Sequence, residues 1–194
     1  MTITAGSLTE LSEDAEAGNE FSTAVLGTNE VMIAHRFGSD YKLAGLVCTI
    51  AGTTITKGTD TVLDSLENSG YSVSAVTMSS SEVWVLHSYG SSYRLRKTTV
   101  MVNDDFLTSD NSLISYDLYS GYAVSTVKLN ENSMFVASTE KASDGYVLCG
   151  MLVRKATIVY RRVVSVESSL DKIAGLACSS GNTGKSVQVI VPNV

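Results

Sequence analysis

Glu82-Val83-Trp84-Val85-Leu86-His87 restates Glu30-Val31-Met32-Ile33-Ala34-His35 at an offset of 52 residues. The rest of the chain falls into register around this pair. Thr54-Ile55-Thr56-Lys57-Gly58 restates Thr2-Ile3-Thr4-Ala5-Gly6, again at 52, and Gly121-Tyr122-Ala123-Val124-Ser125 restates Gly70-Tyr71-Ser72-Val73-Ser74 at 51. Met134-Phe135-Val136 then falls where Val83-Trp84-Val85 stands. A period of this length marks one supersecondary unit stacked on copies of itself. A residue type that recurs in every copy is therefore explained first by how the unit is built.

Within each copy the alternation is that of strands. Val31, Ile33 and His35 point one way and Met32 and Ala34 the other; the next copies set Val83, Val85 and His87 against Trp84 and Leu86, then Met134, Val136 and Ser138 against Phe135 and Ala137. Both faces are apolar, so this strand is expected to be covered on both sides. A strand precedes it in each copy (Ser22–Leu26, Ser74–Met78, Ser125–Leu129), joined by turn-forming residues such as Gly27-Thr28-Asn29. A third strand begins at Tyr41, Tyr93 or Tyr146, and a fourth carries Ile55, Leu107 or Ile158. No segment reads as a helix. Leu8 to Glu20 has the Glu and Ala content of one, but it matches Thr61 to Gly70 and so reads as outer strand and loop.

The expected fold is all-β: a propeller-like array of three four-stranded repeats of about 51 residues, plus a terminal hairpin. The repeat domain covers residues 1–166 and the hairpin module residues 167–194. Ile173-Ala174-Gly175-Leu176-Ala177-Cys178 and Ser186-Val187-Gln188-Val189-Ile190-Val191 supply the hairpin by alternation, with a turn between them. One arrangement closes a four-bladed ring, with the N-terminal strand around Thr2 to Leu8 and this hairpin sharing a fourth sheet. Its rival is an open three-unit array with a separate docking hairpin, completed by oligomerisation.

The chain of 194 residues is long enough for one good core, and its net charge of −6 argues against a polyanionic partner. No apolar run approaches the roughly 18 residues of a membrane span, and Met1-Thr2-Ile3-Thr4 lacks the basic start of a signal peptide. Folding in a reducing cytoplasm is expected. Cys48, Cys149 and Cys178 are an odd number in small or apolar runs, and read as buried thiols.

The copies resemble a repeat of tail fibres and other appendages of tailed bacteriophages, written "V-x-V-A-Y … Y-G-x-A-x-V-G-x-V-x-G-T-x-I-x-x-G". Here it stands as Val31-Met32-Ile33-Ala34-His35, Tyr41-Lys42-Leu43-Ala44-Gly45-Leu46-Val47 and Ile50-Ala51-Gly52-Thr53-Thr54-Ile55-Thr56-Lys57-Gly58. In later copies Arg96-Lys97 and Asn103-Asp104 replace the glycine pattern. The stretch from Ile173 through Val189 is similar to the closing module of phage structural proteins. The resemblance implies a non-enzymatic virion component: tail fibre, baseplate or collar appendage, or capsid decoration. Such a part is made in the host bacterial cytoplasm and present in many copies or as a homo-oligomer in contact with other virion proteins. The alternative is a lectin-like adhesin for host attachment that binds a surface saccharide. Neither reading involves nucleic acid, membrane or cofactor.

Motifs that suggest chemistry have plainer readings. Ser180-Gly181-Asn182-Thr183-Gly184-Lys185-Ser186 imitates the end of a phosphate-binding loop, but Ser179 stands where the first glycine belongs and a strand follows instead of a helix. His35 and His87 are twins, replaced by Ser138 in the third copy, and read as strand-end residues, each with a satisfied ring nitrogen. Asn103-Asp104-Asp105 and Asp110-Asn111 lack the glycine and distal glutamate of a calcium loop. No carboxylate pair is marked for glycoside hydrolysis. No catalytic residue or metal ligand is assigned. Arg94, Arg96 and Lys97 read as an outer strand charged against edge pairing, or as a contact for an acidic neighbour, with Arg154, Lys155, Arg161 and Arg162 following. Among the nine tyrosines, Tyr41, Tyr93 and Tyr146 recur and are structural first; Tyr89, Tyr116 and Tyr119 do not recur. Tyr89, Tyr116, Tyr119, Arg94 and Arg96 thus form the candidate binding surface.

Overall fold

A computed structural model describes residues 6, 8–14, 19–104, 106–114, 123–142, 145–155, 158–164 and 176–177, with residues 142, 158–164 and 176–177 by backbone alone. Every regular element among them is a strand. The first sheet holds β1 (Phe21–Val25), β2 (Glu30–Phe37), β3 (Lys42–Ala51) and β4 (Thr54–Lys57), with β5 (Thr61–Asp64) on the same edge of β3 as β4. The second runs β6 (Tyr71–Ser79), β7 (Glu82–Tyr89), β8 (Arg94–Asn103), β9 (Phe106–Leu113). The third runs β10 (Val124–Asn130), β11 (Ser133–Ala142), β12 (Gly145–Arg154), β13 (Ile158–Val164), β14 (Leu176–Ala177). All pairings are antiparallel between chain neighbours, apart from β3 with β5.

The first two units turn alike. Gly38 and Tyr41 have φ of 72° and 53°, Gly90 and Tyr93 have φ of 67° and 48°, and each tyrosine N–H donates to the glycine carbonyl. A tyrosine with positive φ is uncommon and costs energy, so the rings must be held by what they pack on. The fourth strand differs between copies. β9 pairs with β8 without a break, whereas β4 and β5 are two pieces of one edge, and the β3–β5 ladder shifts register between Leu43 and Ala44.

The sheets stack face to face. Ala24, Met32, Ala34, Leu43 and Val47 of the first sheet pack on Val83, Val85, Val100 and Leu107 of the second. The second sheet's other face sets Met78, Trp84, Leu86 and Leu95 against Met134, Val136, Met151 and Val153 of the third. The leading strands repeat their contacts from sheet to sheet. Ala75 N donates to Ser22 Oγ at 2.9 Å, and one copy later Ser74 Oγ bonds Thr126 Oγ1 at 2.8 Å. Thr77 Oγ1 donates to Val25 O, and Lys128 Nζ to Met78 O, both at 2.6 Å.

Among the described residues, coverage on both faces holds only for the middle unit. Trp84 and Met32 are fully buried, but Phe135, at the same place in the third copy, is 41% exposed. Leu43 and Leu95 are fully buried while their counterpart Leu148 is 48% exposed. At the other end, Phe21 and Val25 stand open on the first sheet. The physical reason is position: a sheet at the end of the stack has one neighbouring sheet among the described residues. Residues 8–14 carry no regular structure, and residues 9–14 lie across that open face near His35, beside a cavity of about 380 Å³ lined by Leu11, Phe21, Ile33 and Leu46.

Two expectations need correction or restriction. Arg94, Arg96 and Lys97 are not on an outer strand, because β8 is paired on both sides, with β7 and β9. The edge-protection reading of these charges therefore fails. β14 pairs with β13 and widens the third sheet sideways; the rest of residues 167–194, Cys178 included, and the N-terminal strand apart from Gly6 and Leu8 lie outside the described residues. Cys48 and Cys149 are buried and unpaired. Burial raises both thiols, Cys149 to about 11, with the Asp60 carboxylate adding to the effect at Cys48.

Candidate functional site

Pairing opposite residues puts side chains on one face, so the β7–β8 register sets His87 beside Arg96 and Tyr89 beside Arg94. Three of the five expected surface residues, Tyr89, Arg94 and Arg96, are thereby brought together at one end of the second sheet. Tyr116 and Tyr119 lie outside the described residues. Arg96 places its guanidinium 5.3 Å from the centre of the Tyr89 ring, and its Nε is 3.0 Å from Asp64 Oδ2. Arg94 is half-buried, and its Nε meets no hydrogen-bond acceptor among the described residues.

The neighbouring hairpin turns add an aromatic ladder. Tyr71 packs edge-on between Tyr41 and Tyr93, with ring centres 5.6 and 5.8 Å away, and Arg36 lies over Tyr41 and Tyr71 at 4.8 and 5.2 Å. These contacts hold the two positive-φ tyrosines. Sequence reasoning missed Arg36 and Tyr71 because the ladder crosses from one copy to the next. It set Tyr41, Tyr93 and Tyr146 aside as recurring; Tyr41 and Tyr93 stand in the ladder, whereas Tyr146 is 57% exposed and outside it. The tell was available at Arg36, a charge next to His35 at the end of a strand.

Beneath this surface lies a buried polar network. Asp64 at the end of β5 is 2% exposed and accepts from Leu66 N at 3.1 Å. Ser69 Oγ donates to Asp64 O at 3.0 Å and accepts from Leu43 N at 2.9 Å. Across the sheet boundary, fully buried His87 presents Nε2 to Thr98 Oγ1 at 2.8 Å and lies 3.8 Å from Asp64 Oδ2. Thr98 donates in turn to Asn111, whose amide reaches Leu63 O at 3.0 Å. Burial drives the His87 imidazole down to about 4, helped by the nearby Arg96 charge, so the ring is neutral near pH 7. Burial raises the Asp64 carboxyl, with Arg96 and the Leu66 amide pulling against it. The network latches β5 of the first sheet onto the second.

His35 is the same device one copy earlier. Its Nε2 meets Asp60 Oδ1 at 2.7 Å, its Nδ1 meets Arg36 O at 2.8 Å, and Ser12 Oγ donates to Asp60 Oδ2 at 2.9 Å. Each histidine has a ring nitrogen engaged with a polar side chain, Asp60 for His35 and Thr98 for His87, as the repeat suggested. Ser12, Asp60 and His35 are the residue types of a hydrolytic triad in the wrong order: the carboxylate stands between hydroxyl and imidazole, so the ring is not placed to take the hydroxyl proton. Asp14 and Asp60 line a shallow cleft of about 430 Å³, but Asp14 accepts from Gly38 N and Asp60 is engaged as above. Among the described residues no cluster of three or more histidine, cysteine or acidic side chains is placed to hold a metal ion.

The arrangement sets partly exposed aromatic and guanidinium groups over a buried polar network. No protein-family model, curated protein or solved structure matches this chain.

Proposed function

We propose that the protein is a non-enzymatic structural component of a tailed bacteriophage particle, a propeller-like array working through protein–protein contacts. The observation that carries the assembly part of this reading is the pair of sheet faces at the two ends of the stack that the described residues leave incompletely covered. Phe135 and Leu148 at one end and Phe21 and Val25 at the other are more than 40% exposed. Apolar surface of this kind, continuous with an ordered sheet, favours a protein partner. The phage setting rests on the sequence resemblance. Contacts between the leading strands of successive sheets and covered internal faces favour the propeller-like description. Peptide mass mapping of particles purified from the organism carrying the gene tests the reading. Multicopy recovery is expected, and absence from intact particles refutes it.

A lectin-like adhesin is the second reading. It is favoured by the Tyr89–Arg96 stack and by Arg94 paired beside Tyr89 at one end of the second sheet. Aromatic faces with adjacent guanidinium donors suit sugar rings. A glycan array separates the two: binding lost in both Tyr89→Ala and Arg94→Ala favours the adhesin, and no binding to any glycan removes it.

A further inference from the structure

We infer that the two open faces are halves of one interface, so that the third sheet of one copy docks on the first sheet of a second copy, head to tail. The inference deepens the assembly reading above, on which it rests for its setting, by naming the partner.

The chain already contains this interface twice. The face of the first sheet that carries Leu43 is covered by the second sheet, and the face of the second that carries Leu95 is covered by the third. Leu148 occupies the third equivalent place and is 48% exposed. Ala24 and Val76 are buried or partly buried by the same two contacts, and their counterpart Val127 is 54% exposed. The surface that would cover Leu148 and Val127 is of the kind that Val83 and Val85 present. On the first sheet that surface is Val31 and Ile33 with Phe21 and Val25 beside them, left incompletely covered. The polar contacts point the same way. Ser22 bonds position 75 and Ser74 bonds position 126; Ser125 is the exposed third member, and its counterpart position on a first sheet is exposed Thr23.

The first sheet also carries a partial guide for the docking sheet. Residues 9–12 lie on it much as β5 lies against the second sheet, with Ser12 near His35 as Asp64 is near His87. The cavity of about 380 Å³ beside them is the space that side chains of an incoming sheet fill. Meanwhile β14 extends the third sheet at its edge, in the plane of the sheet and not over the Leu148 face. Because the two surfaces differ, the contact is heterologous and makes a ring or a filament. Two copies closing on each other give six sheets, within the roughly four to eight of radial arrays.

The test is light-scattering mass of the full chain from micromolar to near-millimolar concentration, with two double variants. Val127→Glu/Leu148→Glu blocks the third sheet's face, and Phe21→Glu/Val25→Glu blocks the first sheet's; all four positions are exposed, and unchanged circular dichroism and Trp84 emission check the fold. The wild type is expected at a multiple of the 20.6 kDa chain mass, twice for the six-sheet ring. Each variant alone is expected at the single-chain mass, and an equimolar mixture at twice it, since one good interface is restored. A wild type that stays monomeric throughout overturns the inference, whether its own C-terminal residues or a different partner cover the face. So does self-association of either variant alone, which means like faces meet. A monomer leaves the virion reading standing, and absence from particles leaves the self-association standing.

Discussion

Replacing His87 with glutamine should remove most of a specific acid sensitivity. The imidazole is fully buried and depressed to about 4, against roughly 6.5 in an unfolded chain. Between those values the unfolded state binds a proton that the folded state refuses, so folding stability falls as pH drops from about 6.5 to about 4 and is level above. A gap of this size corresponds to about 3 kcal/mol. The groups facing the ring are Arg96, which repels a proton, and Asp64 at 3.8 Å. Asp64 works in the opposite sense: with its folded pKa raised, its stabilising contribution grows as pH falls through the carboxylate range. That contribution is common to wild type and His87→Gln and cancels to first order. Urea unfolding followed by emission from the single, fully buried Trp84 is the assay. The wild type should lose about 3 kcal/mol more than the variant between pH 7 and pH 4. Parallel pH profiles would refute the reasoning, whatever the constant offset between the two proteins.

Further outcomes follow from the stack. Leu43→Ala should cost about 2–5 kcal/mol in urea unfolding, and Leu148→Ala well under that in the isolated monomer, although the two leucines hold equivalent positions; equal costs would contradict the open third sheet. Gly70→Ala places a Cβ 2.6 Å from Lys42 O and 2.9 Å from Arg36 Cα, both backbone atoms, and should lower stability by about 1–3 kcal/mol in the same assay. Burial raises the Glu82 carboxyl, but hydrogen bonds from Lys155 and Trp84 outweigh it and hold the group below its ordinary value. Its contribution is therefore present above the unfolded pKa and lost as pH falls through the folded one. Lys155→Met should flatten that part of the profile while costing no more than about 1 kcal/mol at neutral pH, since Lys155 is half exposed.

Strand identity was legible because it is a local property. Alternation in Glu30–Phe37 and Glu82–Tyr89, turn chemistry at Gly38 and Gly90, and the 52-residue offset between them all survive without knowledge of neighbours. The candidate surface was half legible. Tyr89, Arg94 and Arg96 could be named, but the partners that define their work, Asp64 of the preceding sheet's β5 and the Tyr71 ladder, come from across a repeat boundary. The basic strand was misplaced for a related reason: alternating charge looks the same on an edge strand and on β8, where Lys97 instead covers the Trp84 ring at 4.2 Å.

The sequence by itself determined the repeat, its strand character and the alternation of apolar side chains along the strands, because spacing along one chain sets those; the expected four strands per unit hold only for the second sheet, the first and third having five. It did not determine which apolar faces are buried. Met32, Trp84 and Phe135 are interchangeable large apolar residues at one position of a repeat, yet they are 0%, 0% and 41% exposed. Burial is a relation between sheets, and only the tertiary structure says that the third sheet has no described neighbour on that side.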